Sequence, residues 1–279
     1  MKICLGIEST AHTFGIGIVD FKGNILANVK DTFTTKKGGL IPNEVAAHHE
    51  KLKEELLQKA LLIAKISFFD ISLIAVSNSP GLSPCLFVGV NFAKELAKKH
   101  NRPLVGVNHS VAHLTIGDLI CKTKDSVYLY VSGPNTQVIT KSSNSFCVLG
   151  ETVDLGLGNM FDKFARDIEL GFPGGPKIEQ LAILGKNFIQ LPYSVKGMDV
   201  SFAGMLTKAL RLYKEGSSKE DLCFSLQETA FAMLCEVAER AMAHMEKKEL
   251  LLNQKIKGGL KRKPVRLFRL PKKGARNKS

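Results

Sequence analysis

One order of segments occurs twice along this chain, and it narrows the possible folds sharply. Residues 3–7 and 13–19 are β-branched runs joined by the turn-like Glu8-Ser9-Thr10. Phe21-Lys22-Gly23-Asn24 has the composition of a hairpin turn leading into a third run at 25–29. Leu52, Leu56, Leu57, Ala60, Leu61 and Ala64 recur at helical spacing within residues 45–66. A short apolar strand at 73–77, a second helix from Gly81 to about residue 99 and a strand at 104–107 follow. The order β-β-β-α-β-α-β is complete by about Lys122. It then restarts, with strands at 127–132, 136–140 and 147–151 and helices at 158–169 and 177–182. A long amphipathic helix at 219–247 and a strand beginning at 249–252 close it. Two successive βββα units predict a duplicated, two-lobed α/β protein with a cleft between the lobes.

Composition supports a folded chain of this size. Of 279 residues, 44% are hydrophobic and 23% charged, enough apolar content to bury two cores. That excludes a disordered chain and a disulfide-stapled miniprotein. No apolar run approaches the roughly 18 residues that a membrane span needs. The N-terminal segment is interrupted by Glu8, His12 and Asp20, so it reads as a strand rather than a signal peptide. Cys4, Cys85, Cys121, Cys147, Cys223 and Cys235 are scattered without a CxxC pair, and four of them (Cys4, Cys85, Cys223 and Cys235) have apolar neighbours. They read as reduced, buried thiols of a cytoplasmic protein.

Charge is distributed unevenly. Residues 253–279 hold seven Lys, four Arg and no acidic residue, a charge of +11 out of the net +13, which leaves +2 for residues 1–252. The basic segment is broken by Gly258, Gly259, Pro264, Pro271 and Gly274, and its composition predicts disorder. A polybasic arm of this kind suits phosphate backbones through counterion release.

Few residue groups suggest chemistry. His109 and His113 are four apart, so on a helix both imidazoles can reach one metal ion, or they can bond locally at a helix start. Ser110 stands where a zincin-type motif has its catalytic Glu, which removes the general base of a peptidase. His48-His49 is a weaker pair because adjacent side chains face different ways, and surface or structural roles suit it better. Ser132-Gly133-Pro134-Asn135-Thr136-Gln137 joins two strands and is either a hairpin turn or a phosphate-wrapping loop, with Pro134 contributing no N–H. Phe172-Pro173-Gly174-Gly175-Pro176 precedes a helix that carries Glu179, a possible ribose acceptor, although a plain loop fits as well. Asp162 and Lys163 are candidate ribose or phosphate contacts, and Glu8 sits in the first turn, where duplicated ATPase-like folds place acidic groups.

Taken together, these segments resemble a known family. They are Gly6-Ile7-Glu8-Ser9-Thr10-Ala11-His12, Asn108-His109 through His113, Leu129-Tyr130-Val131-Ser132-Gly133, Asn135-Thr136-Gln137 and Gly158-Asn159 with Asp162-Lys163. Pro173-Gly174-Gly175-Pro176, Asp199-Val200-Ser201-Phe202 and Glu239-Arg240-Ala241 continue the series, and the match spans about residues 2–252. The chain is similar to the archaeal and eukaryotic tRNA threonylcarbamoyladenosine transferases, the catalytic subunits of the KEOPS complex once labelled O-sialoglycoprotein endopeptidases. The resemblance implies an actin-like, sugar-kinase-like fold: a lobe over 1–125 and an incomplete second lobe over 126–252, after which the basic tail over 253–279, expected from its composition to be disordered, has no counterpart in the family. It implies an acyltransferase that moves threonylcarbamoyl from threonylcarbamoyl-AMP to the amine of adenosine 37 in tRNAs reading codons that begin with A. One divalent metal, iron or zinc, would be held by His109, His113 and Tyr130. The adenine nucleotide, threonylcarbamoyl-AMP or ATP, would be held by Tyr130, Val131, Ser132, Gly133, Pro134, Asp162, Gly175 and Glu179. Expected partners are tRNA and the other KEOPS subunits, including a small kinase or ATPase, with no membrane.

The chain departs from the family pattern in several places. Pro134 replaces a usual Gly, Ser83 and Phe87 replace Gly and Arg, and Ile41 and Asn43 stand where His and Arg are usual. Fewer arginine-type donors imply weaker anion binding. After Leu252 the family continues with a Gly-Gly-Val-Ala-Ala-Asn segment and the aspartate that completes the metal site, whereas here the basic segment begins. A frameshift or early stop is the expectation. An impaired paralogue that serves as a scaffold for KEOPS or RNA is the alternative function.

Overall fold

The computed structural model describes residues 2–34, 41–142, 145–254 and 265–269. It divides into two compact units, Met1–His113 and Leu114–Ser279. The division falls inside a helix rather than after it, as the 125/126 boundary would have it.

In the first unit, β1 (Ile3–Glu8), β2 (Thr13–Asp20) and β3 (Ile25–Thr32) form an antiparallel meander. β4 (Ile71–Ser79) and β5 (Leu104–Asn108) add to it in parallel, giving the order β3-β2-β1-β4-β5. The β2–β3 turn is built by Asp20, whose carboxylate accepts from Lys22 N–H at 2.8 Å and Asn24 N–H at 2.9 Å, while Gly23 adopts φ 87°. Alternation along β2 buries Phe14, Ile16 and Ile18 against Leu56, Leu57 and Ala60 of α1 (Pro42–Ala64) and Phe92, Ala93 and Leu96 of α2 (Ser83–His100). α1 starts at Pro42, earlier than its periodicity suggests, because proline suits the first helical turn, and it stops at Lys65 in the left-handed region. α3 (His109–Cys121) follows β5 directly.

The second unit repeats the plan. β6 (Ser126–Val131), β7 (Thr136–Ser142) and β8 (Ser145–Glu151) form an antiparallel meander, and β11 (Glu249–Gln254) pairs in parallel with β6. The β8-β7-β6-β11 arrangement therefore reproduces β3-β2-β1-β4. A two-stranded piece, β9 (Val195–Lys196) and β10 (Asp199–Val200), lies in the connection. α4 (Leu157–Asp167), α5 (Gly174–Ala182), α6 (Ala203–Lys214) and α7 (Lys219–His244) supply the core around Phe164, Phe202, Leu226 and Met233. A smaller cluster holds Leu114 of α3 with Tyr128, Tyr130, Ile139 and Leu251, and Tyr128 Oη donates to the Asp118 carboxylate at 2.9 Å.

Two expectations need correction. The basic segment is not wholly without structure, because β11 runs to Gln254 and β12 (Val265–Arg269) pairs antiparallel with it. In the first unit the corresponding place beside β4 belongs to a parallel strand, β5. The rest of the basic segment lies outside the described residues. Cys85 and Cys223 are buried as expected, and burial pushes the Cys223 thiol up to about 12, but Cys235 is exposed on α7. No helix among the described residues is long and apolar enough to cross a membrane.

Candidate functional site

The first unit gathers its chemistry where β1 and β5 end. The Asn108 Oδ1 at the β5 terminus accepts from Ser110 N–H at 3.0 Å and Val111 N–H at 3.1 Å, which caps α3 and sets its first turn. One turn of helix separates His109 from His113, and their Nε2 atoms approach to 3.1 Å. His109 Nδ1 lies 3.1 Å from Glu8 Oε2. Thr10 donates to the other Glu8 oxygen through both its N–H, at 3.1 Å, and its hydroxyl. Burial alone would raise the Glu8 carboxyl; hydrogen bonds from His109, Ser77 and Thr10 and attraction to His109 outweigh it and hold the group at about 2. Glu8 is therefore an anion facing His109 Nδ1, and this contact turns the Nε2 edge of the ring towards His113.

Such an arrangement fits a metal-binding donor pair. Two imidazoles on one ion at metal–nitrogen distances of about 2.0–2.1 Å and angles between 90° and 109° place their nitrogens roughly 2.9–3.4 Å apart. A carboxylate on the far nitrogen of a ligating histidine is the usual supporting contact. The pair supplies two donors: among the described residues, no group of three or more His, Cys, Asp and Glu side chains is arranged to hold a metal.

Close packing fixes the turn that carries Glu8. A Cβ on Gly81 would sit 2.6 Å from Thr10 O, and one on Gly89 would sit 2.6 Å from Ser9 Cβ. Ser9 Oγ donates to Cys85 O at 2.7 Å. The Gly81–Cys85 loop thus braces the Glu8 turn. Of the earlier histidine pair, His48 Nε2 meets Asp31 at 3.0 Å, and His49 is buried.

The second unit brings together three of the predicted nucleotide segments. Tyr130 and Val131 are buried on β6, and Ser132-Gly133-Pro134-Asn135 turns into β7. Asn135 N–H donates to Ser132 Oγ at 3.0 Å, and Ser132 N–H to Asn135 O at 2.7 Å. The start of α4 docks on this turn. Gly158 N–H donates to Ser132 O at 3.2 Å, Asn159 N–H to Gly133 O at 2.9 Å, and Leu157 N–H to Thr136 Oγ1 at 3.0 Å. Those helix amides are consumed by the turn and are not offered to an anion. Among the described residues, Gly133 N–H is the one amide of the turn that the protein does not use.

Asp162, one turn further along α4, accepts from Gly174 N–H at 2.7 Å and from Gly175 N–H, so it caps α5. Glu179 is half-buried on the same helix, α5, and Lys163 is exposed. Burial raises the Asp162 carboxyl, against the lowering effect of the two amides. With the folded value above the unfolded one, the stability that Asp162 contributes is complete below the ordinary aspartate range. It is lost as pH rises through the raised value. Asp162→Asn keeps the acceptor and removes the ionisation. It is expected to be more stable than the parent at pH 7 and no different at pH 3, as read by urea denaturation at both values.

Each unit is a βββα-type sheet of the same strand order, the plan of an actin-like α/β protein. T. kodakarensis HypF shares that fold, with a TM-score of 0.63 at 14% identity over 91% of this chain and 41% of that one. Residues 24–272 match the family described as TsaD: tRNA N6-adenosine threonylcarbamoyltransferase. The tRNA N6-adenosine threonylcarbamoyltransferase of Thermococcus kodakarensis is 55% identical over 251 residues, 90% of this chain and 77% of the relative. A Methanothermobacter thermautotrophicus relative named "Probable bifunctional tRNA threonylcarbamoyladenosine biosynthesis protein" is 50% identical over 90% of this chain and 47% of its own length. The chain belongs to the tRNA N6-adenosine threonylcarbamoyltransferase family. The family match runs past Leu252, where the resemblance in the sequence was expected to stop, to residue 272.

Proposed function

We propose that this chain modifies tRNA by transferring threonylcarbamoyl from threonylcarbamoyl-AMP to N6 of adenosine 37, in the cytoplasm and within a KEOPS-type assembly. The N6–carbon bond forms as the carbon–oxygen bond to AMP breaks, one proton leaves N6, and AMP departs. The 3.1 Å approach of the His109 and His113 Nε2 atoms, in a chain of this family, carries the reading. These two residues, with Tyr130 as the third donor, would hold an iron or zinc ion. Bound there, the ion would supply Lewis-acid polarisation of the carbamoyl or phosphate oxygens.

The chain's own groups have distinct tasks. Glu8 orients the His109 ring through its contact with Nδ1. Gly133 N–H is a free donor for a nucleotide phosphate. Val131, Ser132 and Pro134 shape that turn, and Asp162, Gly175 and Glu179 lie where the family resemblance puts ribose or phosphate contacts. The bifunctional relative, of which this fold is 47%, supports a second protein as a working partner, and a small kinase or ATPase is the proposed one.

The test mixes the purified chain with threonylcarbamoyl-AMP, unmodified tRNA and the partner subunits, followed by mass spectrometry of the digested nucleosides. Threonylcarbamoyladenosine should form with the parent chain and not without it. A correctly folded chain that yields no product under these conditions overturns the reading.

A further inference from the structure

Three successive carbonyls of the turn after β1 accept hydrogen bonds from three different parts of the first unit. Leu82 N–H donates to Thr10 O at 2.7 Å, His49 Nε2 contacts Ala11 O at 2.7 Å, and Phe33 N–H donates to His12 O at 2.8 Å. Two of the donors are backbone amides; only the imidazole of His49 is a side chain. A carbonyl oxygen can only accept, so the ring proton of His49 is on Nε2.

His49 is an expensive residue at this place. It is 0% exposed, and its ring lies 5.6 Å from that of Phe14. Its Nδ1 is buried with no hydrogen-bond partner. Burial lowers its pKa, which keeps the ring neutral. An apolar side chain of the same size would avoid an unsatisfied nitrogen. What such a side chain could not do is donate to Ala11 O. That carbonyl lies one residue after Thr10, which holds one Glu8 oxygen, while the other Glu8 oxygen holds His109.

We propose that His49 is a positioning residue for the Glu8–His109–His113 set. Its bond to Ala11 O fixes the turn, the turn fixes Glu8, and Glu8 fixes the His109 ring so that Nε2 faces His113. This rests on reading the histidine pair as a metal donor set, and the test separates the two ideas.

Zinc affinity is measured by competition with a chromophoric chelator for the parent, His49→Leu, His49→Asn, His49→Gln and His109→Ala. In parallel, imidazole nitrogen NMR of the zinc-free proteins follows the His109 tautomer. Gln can place an N–H near the position of Nε2, whereas Asn is too short and Leu has no donor. His49→Leu and His49→Asn should weaken zinc binding about tenfold or more, the scale of losing an outer-shell partner. In both, the His109 ring should lose its single tautomer. His49→Gln should stay within about threefold of the parent.

The inference is overturned if His49→Leu or His49→Asn binds zinc like the parent with His109 unchanged. It is also overturned if His49→Gln fails as badly as they do at equal Tm, because the role would then be packing alone. If one variant does not fold, the other is compared with His49→Gln. If His109→Ala binds zinc as well as the parent, the donor-set reading fails. The NMR comparison then still decides whether His49 orders His109.

Discussion

On the proposed function, His113→Ala lowers threonylcarbamoyl transfer to tRNA by at least about 100-fold, because it would remove a direct donor to the proposed ion where even a supporting contact is worth 10- to 100-fold. Its folding should barely change, because His113 is partly exposed. His109→Ala should lose as much activity and also lose stability, for a reason that lies in Glu8. The Glu8 carboxyl is held at about 2, below its unfolded value, so its contribution to stability is present above the unfolded value and lost as pH falls towards about 2. Without the His109 imidazole, burial is opposed only by Ser77 and Thr10, and the carboxyl rises. The stability gap between parent and His109→Ala is therefore expected at pH 7 and should narrow as pH falls to 3. Melting curves of both variants across that range, with product formation measured alongside, check the pair. Equal pH profiles for the two variants would show that Glu8 does not depend on His109.

The duplicated plan was legible because both meanders are built from β-branched alternation with turn residues between, and that pattern is local. Asp20 with Gly23 made the first hairpin readable for the same reason. α6 was missed, since it begins beside Gly204 and follows a loop held by contacts remote in sequence. Asp154 accepts from Phe202 N–H and Ala203 N–H, each at 3.0 Å, across nearly fifty residues of chain. β12 was missed because a run dense in Lys and Arg does not look like a strand; charged residues are nonetheless common on sheet edges.

At the site, the spacing of His109 and His113 was visible in sequence, but the contact of Glu8 with His109 was not. It joins residues 101 apart, and only the parallel pairing of β1, β4 and β5 brings their ends together. In sequence, the Gly-rich segments of the second unit fit either plain turns or loops that wrap a ligand. In the structure, a Cβ on Gly174 would meet Phe161 O at 2.6 Å, and one on Gly158 would meet Ser132 O at 2.7 Å. Glycine in these loops serves protein against protein, which composition alone does not distinguish from protein against phosphate.

Gly156→Ala tests that packing directly. Gly156 precedes α4 with φ −66° and ψ 146°, a conformation open to any residue, so the backbone itself sets no penalty. Space does. An added Cβ would lie 2.3 Å from Pro134 O and 2.4 Å from Gly133 O, both main-chain atoms that cannot rotate away. The turn and the helix start must separate, which strains the bonds from Gly158 and Asn159 to Ser132 and Gly133. Overpacking of this kind costs about 3 kcal/mol. At roughly 2–4 °C per kcal/mol for a chain of this order, Tm should fall by about 6–12 °C. Nucleotide affinity should fall with it, because Gly133 N–H moves with the turn. Gly204→Ala is the control. It sits in the first turn of α6 with nothing within 4 Å of the added carbon, so it should be neutral or gain up to about 1 kcal/mol from helix propensity. Urea denaturation of the two variants side by side decides the matter. A loss of less than about 0.5 kcal/mol for Gly156→Ala would mean that the turn yields freely, and a turn that yields could not present a fixed amide to a phosphate.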